Sequence, residues 1–342
     1  MNILVIKQTS LGDVLHASGH IRAIKKHYQK QCPGSKLFLL TANTSADIYR
    51  HSPWVDELIL VDRDSIKENW RKKPMRAIKE MQRTLSKVRQ HKFDLAIDFQ
   101  GLAKSVFFLY GAKAENKFVK GNWWGLKGFR NKKLHAIKEM DQLLQVAGIP
   151  TTDTTMELVV GNDDKLSVDR LLLKINLENK PILIVSPFSR WPSKDWPLKN
   201  YMEVCEAVSN AYQVVFTGSP DRKIQIDRGM EDGCCQSAVN MAGAQSLLEF
   251  VELTSRASLM LTGDSFPMHV AVAKQTPVIA LFGPTDENKV GPLGERNRVI
   301  RAPGCDVCDN RHCSRHCLSR LDNDEVIRMI HEFTPDSCLA SA

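Results

Sequence analysis

Residues 2–15, Asn2-Ile3-Leu4-Val5-Ile6-Lys7-Gln8-Thr9-Ser10-Leu11-Gly12-Asp13-Val14-Leu15, hold the reading that decides the fold. Asn2 to Ile6 is a short apolar run suited to a strand buried on both faces. A small polar turn, Gln8 to Asp13, follows it. Val14, Leu15, Ala17, Ile21 and Ile24 then fall at helical spacing over residues 14–28, and Pro33-Gly34 ends the helix. A buried strand that feeds a helix through a tight turn is the start of a βαβ unit.

The alternation continues along the chain. Residues 36–41, 57–61 and 93–98 read as strands, with a basic helix over 79–90. After Gly148-Ile149-Pro150 the pattern loosens, and residues 151–155 and 161–164 read as an interdomain connection. Strands at 181–185, 214–217, 259–262 and 277–282 then alternate with helices at 198–212, 221–232, 246–255 and 268–274. Strands separated by helices make parallel sheets covered on both faces. The expected fold is therefore α/β, with two Rossmann-like domains at 1–155 and 165–320 and a cleft between them. A C-terminal helix and tail follow at 321–342, the helix over 324–333 being amphipathic and placed to return to the N-terminal domain. Ligands of open α/β sheets sit outside the carboxyl ends of the strands. The loops after Lys7, Asp98, Val185, Thr217, Thr262 and Phe282 are thus the places to look for chemistry.

At 342 residues, 43% hydrophobic and 25% charged, the composition excludes collagen, a disordered chain and a low-complexity scaffold. No run approaches a membrane span, and the N-terminus lacks the marks of a signal peptide, so a cytoplasmic protein is expected. The charge is unevenly divided. Residues 1–150 hold 27 Lys and Arg against 13 Asp and Glu, a net of +14, and the rest hold 20 against 26. That asymmetry points to an anionic partner for the first half; no nucleic-acid-binding motif accompanies it. Of the nine cysteines, five are scattered (Cys32, Cys205, Cys234, Cys235, Cys338) and four crowd together as Cys305, Cys308, Cys313 and Cys317. Four close thiolates suit a tetrahedral Zn²⁺ or Fe site of structural role, with His312 and His316 as alternative ligands and free thiols as the plain alternative.

Four loops carry unusual residues. Lys7 to Asp13 presents backbone N–H groups at a helix start, where Asp13 is either a cap or a reacting group. Asp98-Phe99-Gln100-Gly101-Leu102-Ala103-Lys104-Ser105 brings an amide and a cation to the same sheet edge, near Trp70-Arg71-Lys72-Lys73. Ser186 to Pro197 supplies hydroxyls together with Arg190 and Lys194, a cradle suited to a diphosphate. Gly263-Asp264-Ser265-Phe266-Pro267-Met268-His269 ends a strand and opens a helix whose positive end faces a ligand edge.

Taken together these motifs resemble family 9 glycosyltransferases, the heptosyltransferases of the lipopolysaccharide inner core. The resemblance spans Met1 to about Gly294 and rests on Lys7-x-x-Ser10-Leu11-Gly12-Asp13-Val14-Leu15-His16, Asp98-x-Gln100-Gly101-Leu102-x-Lys104-Ser105, Lys194-x-Trp196-Pro197, Asp264-x-x-x-x-His269 and Phe282-Gly283-Pro284-Thr285-Asp286. The first two are most similar to the type I enzymes, which act on the Kdo of Kdo–lipid A. The resemblance implies a GT-B fold and inverting transfer from ADP-heptose without a catalytic metal. It implies an anionic Kdo–lipid A acceptor, peripheral contact with the cytoplasmic face of the inner membrane, and no nucleic-acid partner. Asp13 would be the general base and Lys194 would contact the donor diphosphate. Ser189, Arg190, Asp221, Asp264, Ser265, Met268 and His269 would complete the donor side. Ser10, Gly12, Arg71, Lys72, Gln100 and Lys104 would face the acceptor.

Two positions depart from the family pattern. Ser265-Phe266 stands where the family has Thr-Gly, and Arg222, preceded by Asp221, occupies the slot of an acidic residue for the adenosine ribose. Other readings consistent with the sequence are a family member using a second core heptose or a protein serine as acceptor, and a non-catalytic module that binds nucleotide sugar or lipopolysaccharide.

Overall fold

The computed structural model describes residues 1–175, 180–232 and 235–333. The chain divides into two units, Met1–Val159 and Val160–Ala342. Cys234, Cys338 and residues 334–342 of the expected tail lie outside the described residues.

The first unit opens with β1 (Asn2–Ile6), followed by α1 (Leu11–His16), α2 (Ser18–Gln31), β2 (Lys36–Ala42), β3 (Glu57–Val61), α3 (Arg63–Lys72), α4 (Pro74–Val88) and β4 (Lys92–Asp98). It continues with α5 (Ala103–Gly111), β5 (Lys113–Lys120), β6 (Lys127–Phe129) and α6 (Ala136–Val146). Its six strands are parallel in the order β3-β2-β1-β4-β5-β6. Ile3, Leu4, Val5 and Ile6 are wholly buried because β1 is flanked by β2 and β4 and covered on both faces. Reversal of strand order at β1 makes the carboxyl ends of β1 and β4 the switch point of this sheet.

Three local outcomes differ from the sequence reading. The helix expected over 14–28 is two helices, because Ala17 turns the chain and its N–H bonds to the Val14 carbonyl. Residues 70–72, to which the sequence reading gave no element, form the end of α3, followed by Lys73 as its C-cap; Asp62 caps the start of α3 by accepting from the Ser65 N–H at 2.9 Å. The polar stretch 151–155, read as part of an interdomain connection, is strapped with Glu157 to the first unit. The Arg22 guanidinium donates to Asp153 at 2.7 Å and to Glu157 at 2.9 Å, and the Thr154 hydroxyl donates to Asp141 at 2.8 Å. Gly19 permits this approach, since a Cβ there would lie 2.2 Å from the Thr154 carbonyl oxygen.

The second unit runs α7 (Asn162–Ile175), β7 (Ile182–Ser186), α8 (Leu198–Val208), β8 (Gln213–Phe216), α9 (Lys223–Glu231), β9 (Val239–Asn240), α10 (Leu247–Arg256) and β10 (Leu259–Gly263). Then come α11 (Phe266–Lys274), β11 (Val278–Phe282), α12 (Glu287–Val290), β12 (Arg298–Arg301) and α13 (Asn323–His331). Its sheet is also parallel, in the order β12-β11-β10-β7-β8-β9, with the switch between β7 and β10. The closing helix packs within the second unit: Val326 and Ile330 of α13 share a core with Tyr201 and Met202 of α8. Its apolar face is used within the second unit. Among the described residues no helix is long and apolar enough to cross a membrane.

Candidate active site

In the first unit the site residues gather at the switch point. The chain leaves β1 through Lys7, whose side chain is buried and donates from Nζ to the Phe99 carbonyl at 3.4 Å. The Thr9–Ser10 peptide bond is cis. Ser10 then opens α1, and Asp13 folds back on it: its Oδ2 accepts from the Ser10 N–H at 3.0 Å and from the Ser10 hydroxyl at 2.9 Å. Asp13 thus does serve the helix start, as its plainer reading required, and it does so half-buried beside a buried ammonium. Burial works to raise its pKa, but the charges of Lys7 and His16 and the two Ser10 bonds outweigh it, so the carboxyl lies well below the ordinary range. Lys7 is itself lowered, first by burial and then by Lys120, against the opposing pull of Asp13, Asp98 and Glu139.

Gln100 holds this turn from the neighbouring loop. Its amide oxygen accepts from the Gln8 N–H at 3.2 Å and the Thr9 N–H at 3.1 Å. A residue expected to face the acceptor therefore spends its oxygen on the backbone of the Asp13 loop. Asp98, which sequence reasoning quoted but gave no role, organises the loop in turn. It accepts from the N–H groups of Gln100 at 2.7 Å and Gly101 at 3.1 Å and from the Ser105 hydroxyl at 2.7 Å. Burial pushes its carboxyl up to about 6, against the lowering effect of those three bonds and of Lys7. Gly101 has φ +63°, and a Cβ there would lie 1.7 Å from the Lys120 carbonyl oxygen, so the residue has to be glycine.

The expected acceptor-side cations sit at this edge. The Lys104 ammonium lies 5.3 Å from the centroid of the Trp70 ring, which joins the start of α5 to the last turn of α3. Arg71 and Lys72 are exposed on that turn, Lys72 with Glu68 at 3.7 Å. Ser10 is exposed and Gly12 buried.

In the second unit the loop after β7 folds on itself. The Ser189 N–H donates to Asp195 at 2.7 Å and its hydroxyl to the Trp191 carbonyl at 2.8 Å, leaving Arg190 exposed. Lys194 reaches the end of β10, where its ammonium donates to Asp264 Oδ2 at 2.6 Å and to the Asp264 carbonyl at 3.3 Å. Both side chains of this pair are largely buried. Gly263 admits the Lys194 backbone, whose carbonyl oxygen would be 3.1 Å from a Cβ at that position. Ser265 caps α11, with its hydroxyl 3.2 Å from that of Thr262, and His269 is buried one turn into the helix.

Two expected donor residues are placed differently. The Met268 side chain is wholly buried in a core with Ile184, Val215 and Met260, and its N–H already donates to the Ser265 carbonyl. It presents packing rather than a ligand contact. Asp221 is exposed and paired with Arg222 at 3.6 Å, and it lines a groove of 630 Å³ with Leu198, Met202 and Ile224 on the flank of α8 and α9. Arg222 instead stacks on Phe188 of the β7 loop, its guanidinium 4.7 Å from the ring centroid.

Sequence reasoning missed Trp191 and Arg311. The Trp191 ring has the Lys194 ammonium at 4.4 Å and the Arg311 guanidinium at 4.5 Å from its centroid. The cysteine-rich segment is tied to this loop, because the Ser193 hydroxyl donates to the Asn310 carbonyl at 3.0 Å. The signal was there, an aromatic residue three before Lys194, but the four cysteines drew attention from the arginine between them.

The expected structural metal centre at those cysteines is not shown. Among the described residues no group of three or more His, Cys, Asp or Glu is arranged to hold an ion. Cys317 is buried in the core of the second unit, Cys308 is turned to solvent, and Cys305 and Cys313 are half-buried. Burial first, and then the neighbouring Cys317 and Cys308, push the Cys305 thiol up to about 12.

Comparison with known proteins adds the following. Residues 81–319 match the model of glycosyltransferase family 9 (heptosyltransferase). The chain is 24% identical over 310 residues to the lipopolysaccharide core heptosyltransferase OpsX of Haemophilus influenzae, covering 87% of this chain and 84% of that one. A family 9 glycosyltransferase structure from Veillonella parvula superposes with a TM-score of 0.84 at 20% identity, over 99% of this chain and 98% of that one. E. coli heptosyltransferase WaaC, solved with ADP, gives 0.75 at 21% identity, over 97% and 100%. These likenesses show the fold, two parallel α/β units of the GT-B type.

Proposed function

This chain belongs to glycosyltransferase family 9, the heptosyltransferases, and from that premise we propose that it moves a heptose from ADP-L-glycero-D-manno-heptose to the Kdo of the lipopolysaccharide inner core, with inversion. The observation that carries the reading is the ion pair of Lys194 and Asp264, 2.6 Å long, at the carboxyl edge of the second sheet beside the start of α11. Charge develops on the departing ADP. A largely buried ammonium fixed by Asp264, aided by the helix start that Ser265 caps and by His269, is suited to receive it. Ser189 and Arg190 complete the donor assignment; Asp221, exposed on the flank of α8 and α9, is left out of it, and Met268 serves it only as packing. The ADP bound in WaaC supports the choice of nucleotide.

The first unit then takes the acceptor. In-line displacement needs a base on the acceptor hydroxyl, on the face away from the leaving group, and Asp13 is assigned that role. Lys7 keeps it ionised at neutral pH but also makes it a weak base. An acceptor that brings its own carboxylate, as Kdo does, would offset the Lys7 charge and raise the basicity of Asp13 when bound. Ser10, Gly12, Arg71, Lys72, Gln100 and Lys104 are assigned to the acceptor, the cations to its carboxylates and phosphates. The donor-side cations take the place of a catalytic metal. The enzyme would work at the cytoplasmic face of the inner membrane, with no nucleic-acid partner.

The test is ADP release from ADP-heptose with a Kdo–lipid A acceptor. Asp13→Ala should lower kcat by about 10²–10⁴-fold and Lys194→Met by about 10²–10³-fold, and a chelator should leave wild-type activity unchanged. Full activity in Asp13→Ala removes Asp13 as the base. Release with a second core heptose or a protein serine, and none with Kdo–lipid A, transfers the acceptor assignment to that group.

A further inference from the structure

The segment between β12 and Cys317 runs along the carboxyl edge of the second sheet, and loops from that edge fix it at two successive residues. The Asp309 N–H donates to the Pro284 carbonyl, after β11, at 2.9 Å. The Asn310 carbonyl accepts from the Ser193 hydroxyl, after β7, at 3.0 Å. Asp309 takes a left-handed φ of +48°, and the Asn310 side chain accepts from the His312 N–H at 3.0 Å, so the chain turns sharply around the residue between Asn310 and His312. That residue is Arg311. Its guanidinium is delivered onto the Trp191 ring, 4.5 Å from the centroid, and the Lys194 ammonium lies 4.4 Å from the same centroid.

Charge sets the two cations apart. Lys194 is neutralised by Asp264 at 2.6 Å, so an arriving diphosphate finds no net charge in that pair. Arg311 has no carboxylate at ion-pair distance among the described residues, although Asp306 and Asp309 precede it in the chain. The Trp191 face attracts it without neutralising it. The two distances leave the cations about 9 Å apart at most, a gap that a diphosphate hydrogen-bonded at both ends can bridge.

We propose that Arg311 binds the donor diphosphate together with Lys194 and supplies the uncompensated positive charge that the Lys194–Asp264 pair lacks. When the bond from the sugar carbon to the diphosphate oxygen breaks, its electron pair stays with the diphosphate. A guanidinium fork then hydrogen-bonds the oxygens on which that charge collects. The cysteine-rich segment thus acts as the carrier of a donor-binding arginine, and the Ser193–Asn310 bond couples it to the loop that carries Lys194. The inference rests on the proposed function in taking the second unit as the nucleotide-sugar site. Its test reads nucleotide binding without acceptor or transfer.

The full chain is titrated calorimetrically with ADP and with adenosine, which lacks the phosphates. Arg311→Met should weaken ADP by about tenfold or more and leave adenosine within about twofold. Arg311→Lys keeps the charge but not the fork, and should recover part of the loss. Arg315→Met, the same change four residues on along the segment, should bind ADP as wild type does, and every variant should melt with wild type. An Arg311→Met protein that binds ADP like wild type overturns the inference. So does one that loses ADP and adenosine alike, which would make Arg311 a brace for the Trp191 loop and no more. A loss in Arg315→Met as large as that in Arg311→Met overturns it too, by assigning the effect to the general charge of the segment. Wild type that binds no ADP at all overturns the donor reading of the proposed function itself, so the two failures are told apart.

Discussion

Asp13 and Lys7 define a charge pair whose chemistry is testable by pH. The kcat/KM profile reports the free enzyme and kcat the loaded one. If an anionic acceptor offsets Lys7, the acid limb of kcat should lie at higher pH than that of kcat/KM, and Lys7→Met should raise the kcat/KM limb by about a unit or more. Identical limbs in wild type would show that the acceptor does not modulate Asp13. Asp98 poses a separate question of stability. Its folded pKa, about 6, exceeds the ordinary 3.8, so the fold favours the protonated form. Its stabilising contribution is complete below pH 4 and is lost as pH rises through 6. Over that window wild type should lose about 3 kcal/mol relative to Asp98→Asn. Urea unfolding of both proteins at pH 4 and pH 7 measures this, and a constant difference between them would show that Asp98 is not held in the protonated form.

At the scale of the element, the two loop systems depend on backbone approaches that only certain residues allow. Gly101→Ala forces a Cβ into the Lys120 carbonyl at a positive φ, and a loss of roughly 3 kcal/mol in urea unfolding is expected. In the second unit, Trp191→Ala removes the ring on which Lys194 and Arg311 both rest. The KM for the donor should rise about fivefold or more, with the KM for the acceptor unchanged. The sequence made the buried strands plain, because β1, β7, β10 and β11 are runs of apolar residues on both faces. It hid β5, where Lys113, Glu115, Lys117 and Lys120 mask a polar strand, and β9, which is two residues long. The site was legible to the same depth. Asp13, Lys194 and Asp264 lie in segments that follow strands, and it was the family resemblance, not their position, that gave them roles. Met268 and Asp221 sit at equally suggestive positions, but only packing decides that one turns into the core and the other onto a helix flank. Spacing left the four cysteines open: Cys305 neighbours Cys317 and Cys308, while Cys317 is sunk in an apolar core and Cys308 is turned to solvent.

For the whole molecule, the charge division separates two kinds of recognition. The first 150 residues carry the net positive charge, and the remainder is net negative. A lipid acceptor, as the proposed function has it, would be attracted through the summed field of many exposed cations, which is long-ranged and therefore screened by salt. Under the proposed function the donor would be held differently, by Lys194 fixed to Asp264, a pair largely out of water, and by the start of α11. Raising salt from 0.1 M to 1 M shortens the screening length from about 10 Å to about 3 Å. The apparent KM for an acceptor presented in anionic vesicles should then rise steeply, while the KM for ADP-heptose changes about twofold at most. The same acceptor sugar freed of its acyl chains should show a much shallower dependence, since it meets only the few cations at the β1 and β4 edge. Equal salt slopes for the lipid-borne and the freed acceptor would mean that the positive field of the first half acts at the site alone and not through a surface.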